Sequence, residues 1–527
     1  MINESLSQET RAETVTVSRA EYEALKTQNA ELSQQVKWLM EQMRLSRHKQ
    51  FGSSSEKSEY DQLNFFNEAE ANADTRVAEP ELTAVEKHYR KKAAENWDRL
   101  PPDLPVEVVE HVLPEEERVC PECGEALHVM GRETRRELKL IPAKAVIVEH
   151  VRYVYACREC EKNACAVPIV KAPMDEPVIK GGFASPEAVA HILTQKFVSG
   201  VPLYRQEQEF SRNSIGLSRQ TMSNWILRCS NDWLEPIYDT LHELLRGQRI
   251  LHADETTLQV LHEPDKAAQA MSYMWLYRTS GDADMPIVLY DYQPDRRAKR
   301  PAEFLKGFKG YLHTDGYSGY HGLPDGIVII GCWAHARRKF DEALTGLPPK
   351  DQAGSLALRG KQYCDRLFAI ERTHENCTPE ERYLKRQELA KPVLDEFSSW
   401  LSSLRPAPKS GLGKAVHYTR EQWNYLKRYL LDGRLEISNN RAERSIKPFV
   451  IDRKNFLFAN TPGGARASAV AFSIIQTAKE NGLNPYAYLT YIFKNAPNWD
   501  IRNNPDVLKK MLPNSVPDYC KAGSASV

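Results

Sequence analysis

The chain has 527 residues, 41% hydrophobic and 27% charged. That is too long for one hydrophobic core, and roughly 150 residues per domain predicts three or four units. Its 71 basic and 71 acidic residues cancel, which speaks against a non-specific basic coat for nucleic acid and leaves only local clusters, Arg296–Arg300 and Arg337–Lys339. No apolar run reaches the roughly 18 residues of a membrane span, and the first residues lack a secretory pattern, so a cytoplasmic chain with no membrane partner is expected.

Residues 18 to 46 carry a heptad pattern. Tyr22, Asn29, Val36 and Met43 fall on one position, and Leu25, Leu32 and Leu39 on the other. This predicts a coiled coil that pairs two copies of the chain, in a segment spanning 1–58. An amphipathic helix packed on its own protein is the alternative. The turn-rich run Phe51-Gly52-Ser53-Ser54-Ser55-Glu56-Lys57 breaks the pattern. Residues 59–104 are polar and read as a linker.

The next unit, 105–172, holds Cys120-Pro121-Glu122-Cys123-Gly124 and Cys157-Arg158-Glu159-Cys160. Four thiolates on two knuckles suit one tetrahedral zinc ion, as in a zinc ribbon. Redox-active or unligated thiols are the alternative. Between the pairs, Val146 to Tyr155 alternates like a strand.

Residues 173–245 read as helical. Ser185-Pro186-Glu187 is a helix start. Val201 to Arg228 resembles a helix-turn-helix, with Gly216 in the turn and Ser218 capping a second helix from Arg219. Arg219, Gln220, Ser223 and Asn224 would be its polar face, suited to phosphates or base edges of DNA. Met222, Trp225 and Ile226 would face inward. A plain core hairpin carries the same pattern.

From Arg249 the texture changes to short strands, predicted at 249–254, 271–279, 286–292, 310–315 and 326–332, with a helix near 298–306. A mixed sheet covered by helices follows for 246–480. A helical insertion is expected at about 345–430, and a separate C-terminal segment at 481–527.

Three carboxylates stand out. Asp254 and Asp315 are placed at the C-terminal ends of predicted strands, where a rigid sheet presents groups to a loop-lined cleft. Glu443 follows Ser438-Asn439-Asn440 at a helix start. Three such groups suit magnesium, which prefers oxygen ligands, and two ions can serve both oxygens of a phosphodiester displacement. Each has a structural alternative; with Asn440 as cap, Glu443 occupies the capping-box position. The adjacent Glu255 is expected on the opposite face of its strand, in a supporting role. Pro448 is expected to end or kink the helix of Glu443.

These stretches closely resemble the transposases of the insertion sequence 66 family. The likeness runs in order through Phe51–Lys57, Cys120–Gly124, Leu251-His252-Ala253-Asp254-Glu255-Thr256, His313-Thr314-Asp315-Gly316-Tyr317, Gly331–Phe340, Asn439–Arg444, Arg453-Lys454-Asn455 and Gly482–Leu489. Ser438 stands where that family usually has Asp. The resemblance implies an RNase H-like catalytic domain whose Asp–Asp–Glu triad falls on Asp254, Asp315 and Glu443. It implies two Mg2+ (or Mn2+) ions there, one structural Zn2+ on Cys120, Cys123, Cys157 and Cys160, and double-stranded DNA as substrate. Homodimerisation through the coiled coil and accessory proteins from the same element are further expectations. Arg337, Arg338, Arg444, Lys447, Arg453 and Lys454 are candidates for phosphate contacts, beside Arg219, Gln220 and Asn224. A repurposed DNA-binding regulator without catalysis is the alternative function.

Overall fold

The computed structural model describes residues 145–156 and 169–523, together with Ser18, Arg19, Tyr22, Glu23, Lys26 and Asn29. Most of the heptad segment, the 59–104 linker and the cysteines Cys120, Cys123, Cys157 and Cys160 lie outside the described residues. Arg19, Tyr22, Glu23, Lys26 and Asn29 are helical and exposed. Two compact units form, one holding 178–522 and the other holding residues 145–177.

In the smaller unit, β1 (Val154–Ala156) pairs antiparallel with β2 (Ile169–Lys171), with Tyr155 opposite Val170. The strand expected from Val146 is therefore realised only at its end. Residues 145–153 belong to no strand, and Val146, Ile147 and Val148 are exposed. Alternation marks a strand only where a neighbouring ladder satisfies its backbone.

The larger unit begins with helices. Ser185 accepts a hydrogen bond from the Ala188 N–H and starts α1 (Pro186–Phe197). After α2 (Leu203–Arg212), a turn containing Gly216 leads to Ser218, which accepts from the Thr221 N–H and caps α3 (Arg219–Cys229). One π turn, Ser230–Leu234, carries α3 into α4 (Glu235–Arg246). Met222, Trp225 and Ile226 are buried, while Arg219, Gln220 and Asn224 are exposed, the division that helical periodicity predicts.

A five-stranded mixed sheet follows. Its strands are β3 (Ile250–Gln259), β4 (Met271–Thr279), β5 (Val288–Gln293), β6 (Gly310–His313) and β7 (Ile327–Ile330), ordered β5-β4-β3-β6-β7. The first three form an antiparallel meander, and β6 and β7 join parallel to β3. The short α5 (Lys299–Phe304) lies in the crossover from β5 to β6.

Four longer helices, α6 (Trp333–Thr345), α7 (Leu356–Thr373), α8 (Lys391–Ser403) and α9 (Gly411–Leu426), make up most of the segment between β7 and Glu443. They build their own aromatic core, in which the Tyr363 and Phe397 rings stack at 4.6 Å. Ile250 and Ile330 of the sheet join that core. The buried Arg386 grips Glu371 at 2.8 and 2.6 Å and donates to the carbonyls of Tyr429, Asp432 and Leu435, each at 2.8 Å. This fully satisfied guanidinium fixes the chain that leads to Glu443.

The last long helices are α10 (Asn440–Phe456), α11 (Pro462–Glu480) and α12 (Pro485–Asn495). The edge strand β5 is covered by α11: Ser473 Oγ accepts from the Tyr290 N–H at 2.7 Å, and Thr477 Oγ1 meets both N and O of Val288 at 3.0 Å. Those bonds cover an edge that would otherwise template pairing with another chain. One hydrophobic core runs from Val178 through the sheet to Cys520, so α1–α4 and the C-terminal helices pack with the sheet. Among the described residues, no helix is long and apolar enough to cross a membrane.

Pro448 does not break its helix. The α10 helix is continuous from Asn440 to Phe456 and carries Arg453 and Lys454 as well as Glu443. Ala442, Ser445, Ile446 and Phe449 are buried on both sides of the proline, and packing on β3 and β4 holds the two halves in line.

Candidate active site

The strand β3 runs on to Gln259, so Asp254 sits mid-strand rather than at the expected end. Its position is set by the neighbour: the last β3–β6 pair is His252 opposite His313. Asp254 and Asp315 each lie two residues beyond that pair, where the sheet splits open. The two buried histidine rings stack at 4.3 Å beneath them. Burial holds His252 neutral, its pKa lowered to about 3, and lowers His313 well below its usual value, so both rings are neutral packing elements.

Each aspartate is oriented locally. Asp254 accepts from the Glu255 N–H at 2.8 Å, and Asp315 from the Tyr317 N–H at 2.9 Å. The second bond is an Asx turn. It places Gly316 at φ +95°, in the left-handed region. A Cβ on Gly316 would meet Gln422 and Tyr418 at 3.0 Å. Both belong to α9, and Tyr418 donates its hydroxyl to the Asp315 carbonyl at 2.7 Å. The insertion is thus part of the wall of the site.

Glu443 arrives from the start of α10. The expected capping box is absent. The N-cap is Asn439, its side chain caps nothing, and Glu443 falls one residue past the capping position. Neither Ser438 nor Asn440 is the cap. Asn439 is fully buried and bonded elsewhere: Nδ2 donates to the Ala253 carbonyl at 2.8 Å, and Oδ1 faces His252 Nδ1 at 3.0 Å. It bolts α10 to β3 beside Asp254 and leaves the Glu443 carboxylate to face α6. There Arg338 Nη2 lies 3.3 Å from Oε2, and His335 Nδ1 lies 3.5 Å from Oε1.

The three carboxylates share one electrostatic environment. Burial pushes the Asp254 carboxyl well above its usual range, and the charges of Glu255, Asp315 and Glu443 push the same way. Like charges gathered in a half-buried cleft call for a cation. Glu443 Oε1 is buried without a hydrogen-bond partner. Carboxylate oxygens are the donors a hard divalent ion prefers, but among the described residues the donor atoms within 4.8 Å of one another are those of Cys332, His335 and Glu443, not those of the three carboxylates. Glu255 is not one of the three, since it accepts from Arg296 Nε at 2.9 Å and from the Tyr320 hydroxyl at 2.7 Å. Arg296 also stacks on Tyr317 at 3.7 Å.

The basic candidates divide by position. Arg444, Lys447 and Lys454 are exposed on α10, and Lys447 and Lys454 follow Glu443 along one helical stripe. Arg453 reaches into β3 instead, bonding Thr256 Oγ1 at 3.1 Å and Thr257 Oγ1 at 2.8 Å. Arg337 is tied to Asp365 of α7, and Arg338 to Glu443. Arg219 pairs with Glu207 at 3.8 Å, while Gln220 bonds Asn224 at 3.1 Å. Within the basic cluster at 296–300, Arg296 is engaged by Glu255 and Arg300 by Asp295. Tyr418 and Gln422 had no signal of their own in the sequence, and Asn439 and Arg296 stood out only as members of a motif and of a basic cluster, because the roles of all four depend on burial and on long-range contact.

Comparison with known proteins agrees with this architecture. Residues 181–467 match the family described as "Transposase IS66 family". Residues 117–161 match a "zinc-finger binding domain of transposase IS66", 38–109 a "Transposase C of IS166 homeodomain", and 473–513 the "IS66 C-terminal element". The uncharacterized protein y4jD of Sinorhizobium fredii (strain NBRC 101917 / NGR234) is 33% identical over 422 residues, covering 77% of this chain and 79% of its own. Two more from that strain, y4hP and y4qI, are 30% and 31% identical over 404 and 402 residues, covering 72% and 73% of this chain and 71% and 72% of their own. With a family match over more than half its length and relatives aligned over most of theirs, the chain belongs to the IS66 transposase family.

Proposed function

We propose that the chain is a DDE-type DNA transposase of RNase H-like fold whose triad is Asp254, Asp315 and Glu443. The observation that carries this reading is geometric: Asp254 and Asp315 each lie two residues beyond the last β3–β6 pair, and Asn439 joins the start of the Glu443 helix to β3 next to Asp254. The sheet order, with an antiparallel meander flanked by two parallel strands, supports the fold assignment. Asp254, Asp315 and Glu443 would hold two magnesium or manganese ions, which activate an attacking oxygen and stabilise a leaving one.

The chain's own residues supply position. Asn439 and the Asx turn at Asp315 fix the carboxylates before substrate arrives, which is worth more than flexible contacts made afterwards. Arg338 neutralises Glu443 in the free protein and is placed to pass to a DNA phosphate when a cation takes over that carboxylate. Arg444, Lys447 and Lys454 line α10 as backbone contacts that fix register without reading sequence. The exposed Arg219, Gln220 and Asn224 of α3 face outward as a recognition helix would. Phosphodiesters at the ends of the mobile element are hydrolysed, and the freed 3′-hydroxyls attack target DNA. The zinc ribbon at Cys120, Cys123, Cys157 and Cys160 would help bind the ends, and the heptad segment would bring two chains together, with element-encoded accessory proteins as further partners.

The test is Asp315→Asn in the full-length protein. Cleavage and strand transfer on element-end DNA should vanish while binding to the same DNA persists. Cleavage at the wild-type rate would overturn the triad.

A further inference from the structure

One group of side chains at this site carries a chemistry that the magnesium reading does not use. Cys332, His335 and Glu443 offer a sulfur, an imidazole nitrogen and a carboxylate oxygen that all lie within 4.8 Å of one another. Cys332 is the N-cap of α6, and His335 follows three residues on. That spacing turns both side chains to one face at the helix start. Glu443 comes from a separate element, and two bonds set the approach: the Trp333 N–H donates to the Ile437 carbonyl at 3.1 Å, and the Asn439 N–H to Cys332 Sγ at 3.2 Å.

We propose that Cys332 Sγ, His335 Nδ1 and Glu443 Oε1 form a binding site for a thiophilic divalent cation, zinc in the first place. His335 Nδ1 and Glu443 Oε1 are buried, face each other at 3.5 Å and have no hydrogen-bond partner. Donors around a tetrahedral zinc ion lie roughly 3.3–3.6 Å apart. The three atoms, all within 4.8 Å of one another, therefore need to close by about 1.5 Å at most. Sulfur and imidazole select zinc or cobalt over magnesium. Three protein ligands leave one position open to water, the pattern of an accessible zinc site rather than a closed structural one.

Binding takes the thiol proton from Cys332, which leaves to solvent, and no electron moves. The Asn439 N–H already directed at the sulfur would then stabilise the thiolate, as outer-shell donors do in metal sites. Arg338 competes, lying 3.4 Å from His335 Nε2 and 3.3 Å from Glu443 Oε2. Its side chain is 41% exposed and can swing out. The consequence rests on the proposed triad: one glutamate serves two metals, and zinc held by Cys332 and His335 withdraws Glu443 from Asp254 and Asp315, inhibiting cleavage.

The experiment titrates full-length protein with Co2+ and reads the thiolate-to-cobalt charge-transfer absorption and the number of equivalents bound. Wild type should take up one thiolate-ligated equivalent more than Cys332→Ser. His335→Gln, which keeps the thiol should Cys332→Ser fold poorly, should bind that equivalent at least about tenfold more weakly. Equal uptake and equal spectra in wild type and both variants would overturn the site. Asp315→Asn separates the two readings: it should keep this equivalent while losing cleavage. Retained cleavage in Asp315→Asn sinks the triad and the inhibitory consequence, yet leaves the cobalt result standing.

Discussion

Asn439 shows how one neutral side chain can hold a charged site together. It joins the first turn of α10 to the middle of β3, so the Glu443 carboxylate and Asp254 inherit a fixed separation from its bonds to Ala253 and His252. Removing the amide orphans a buried carbonyl and a buried ring nitrogen, each costing on the order of 1–3 kcal/mol. Asn439→Ala should therefore lower the urea midpoint clearly and reduce cleavage more than DNA binding. Wild-type stability in that variant would show that the bolt carries no load. The sequence placed this residue in a motif beside Glu443 without indicating what it does. Helix-start signals assigned the cap to Asn440, and only tertiary contact revealed that Asn439 is the N-cap residue and that its side chain turns away from its own helix. Glu255 was the opposite case: strand alternation alone separated it from Asp254, and the structure gives it Arg296 and Tyr320 as partners.

At the scale of elements, the sheet was legible because its strands alternate and end in recognisable turns, while the insertion was legible only as helices. Nothing in the polar run around Tyr418 announced that α9 would reach the site, since a contact over 103 residues has no local signature. The clue that did exist was Gly316. A glycine after Asp315 permits φ +95° and also clears space for α9. Gly331 repeats the device at the end of β7, where a Cβ would meet the backbone of Leu426 at 2.9 Å. Gly316→Ala would have to strain its backbone by about 1–3 kcal/mol or push α9 away. Either response moves Asp315. Displacements near an ångström can cost on the order of 100-fold in rate, so cleavage should fall by about that much with end binding retained. A variant that cleaves normally would show that α9 does not position Asp315.

Across the whole molecule, the N-terminal helices and the helix of Glu443 meet at a contact that charges weaken. Lys196 of α1 lies 3.6 Å over the ring of Phe456 at the end of α10. Burial lowers its pKa to about 8, against the pull of Asp452, and raises that of Asp452 to about 6, against Lys196 and Lys479. Desolvation thus outweighs the attraction of neighbouring opposite charges in both groups. The sign of the pH dependence follows. Asp452 binds its proton more tightly folded than unfolded, so its favourable contribution is full below pH 4 and is lost as pH rises through 6. Lys196 binds its proton less tightly when folded, so its contribution is lost as pH falls from above 10 toward 8. Between pH 6 and 8 both are charged and both cost stability. A Lys196→Met, Asp452→Asn double variant removes both costs and should unfold at higher urea by roughly 1–4 kcal/mol near pH 7, the range seen when buried pairs are replaced by uncharged ones. The gain should shrink toward pH 5, where Asp452 is already neutral in the wild type. A gain that is flat across pH 5 to 8 would assign the effect to packing on Phe456. A loss at neutral pH would mean that attraction between the two groups exceeds the cost of burying them, and that the α1–α10 contact is held by charge.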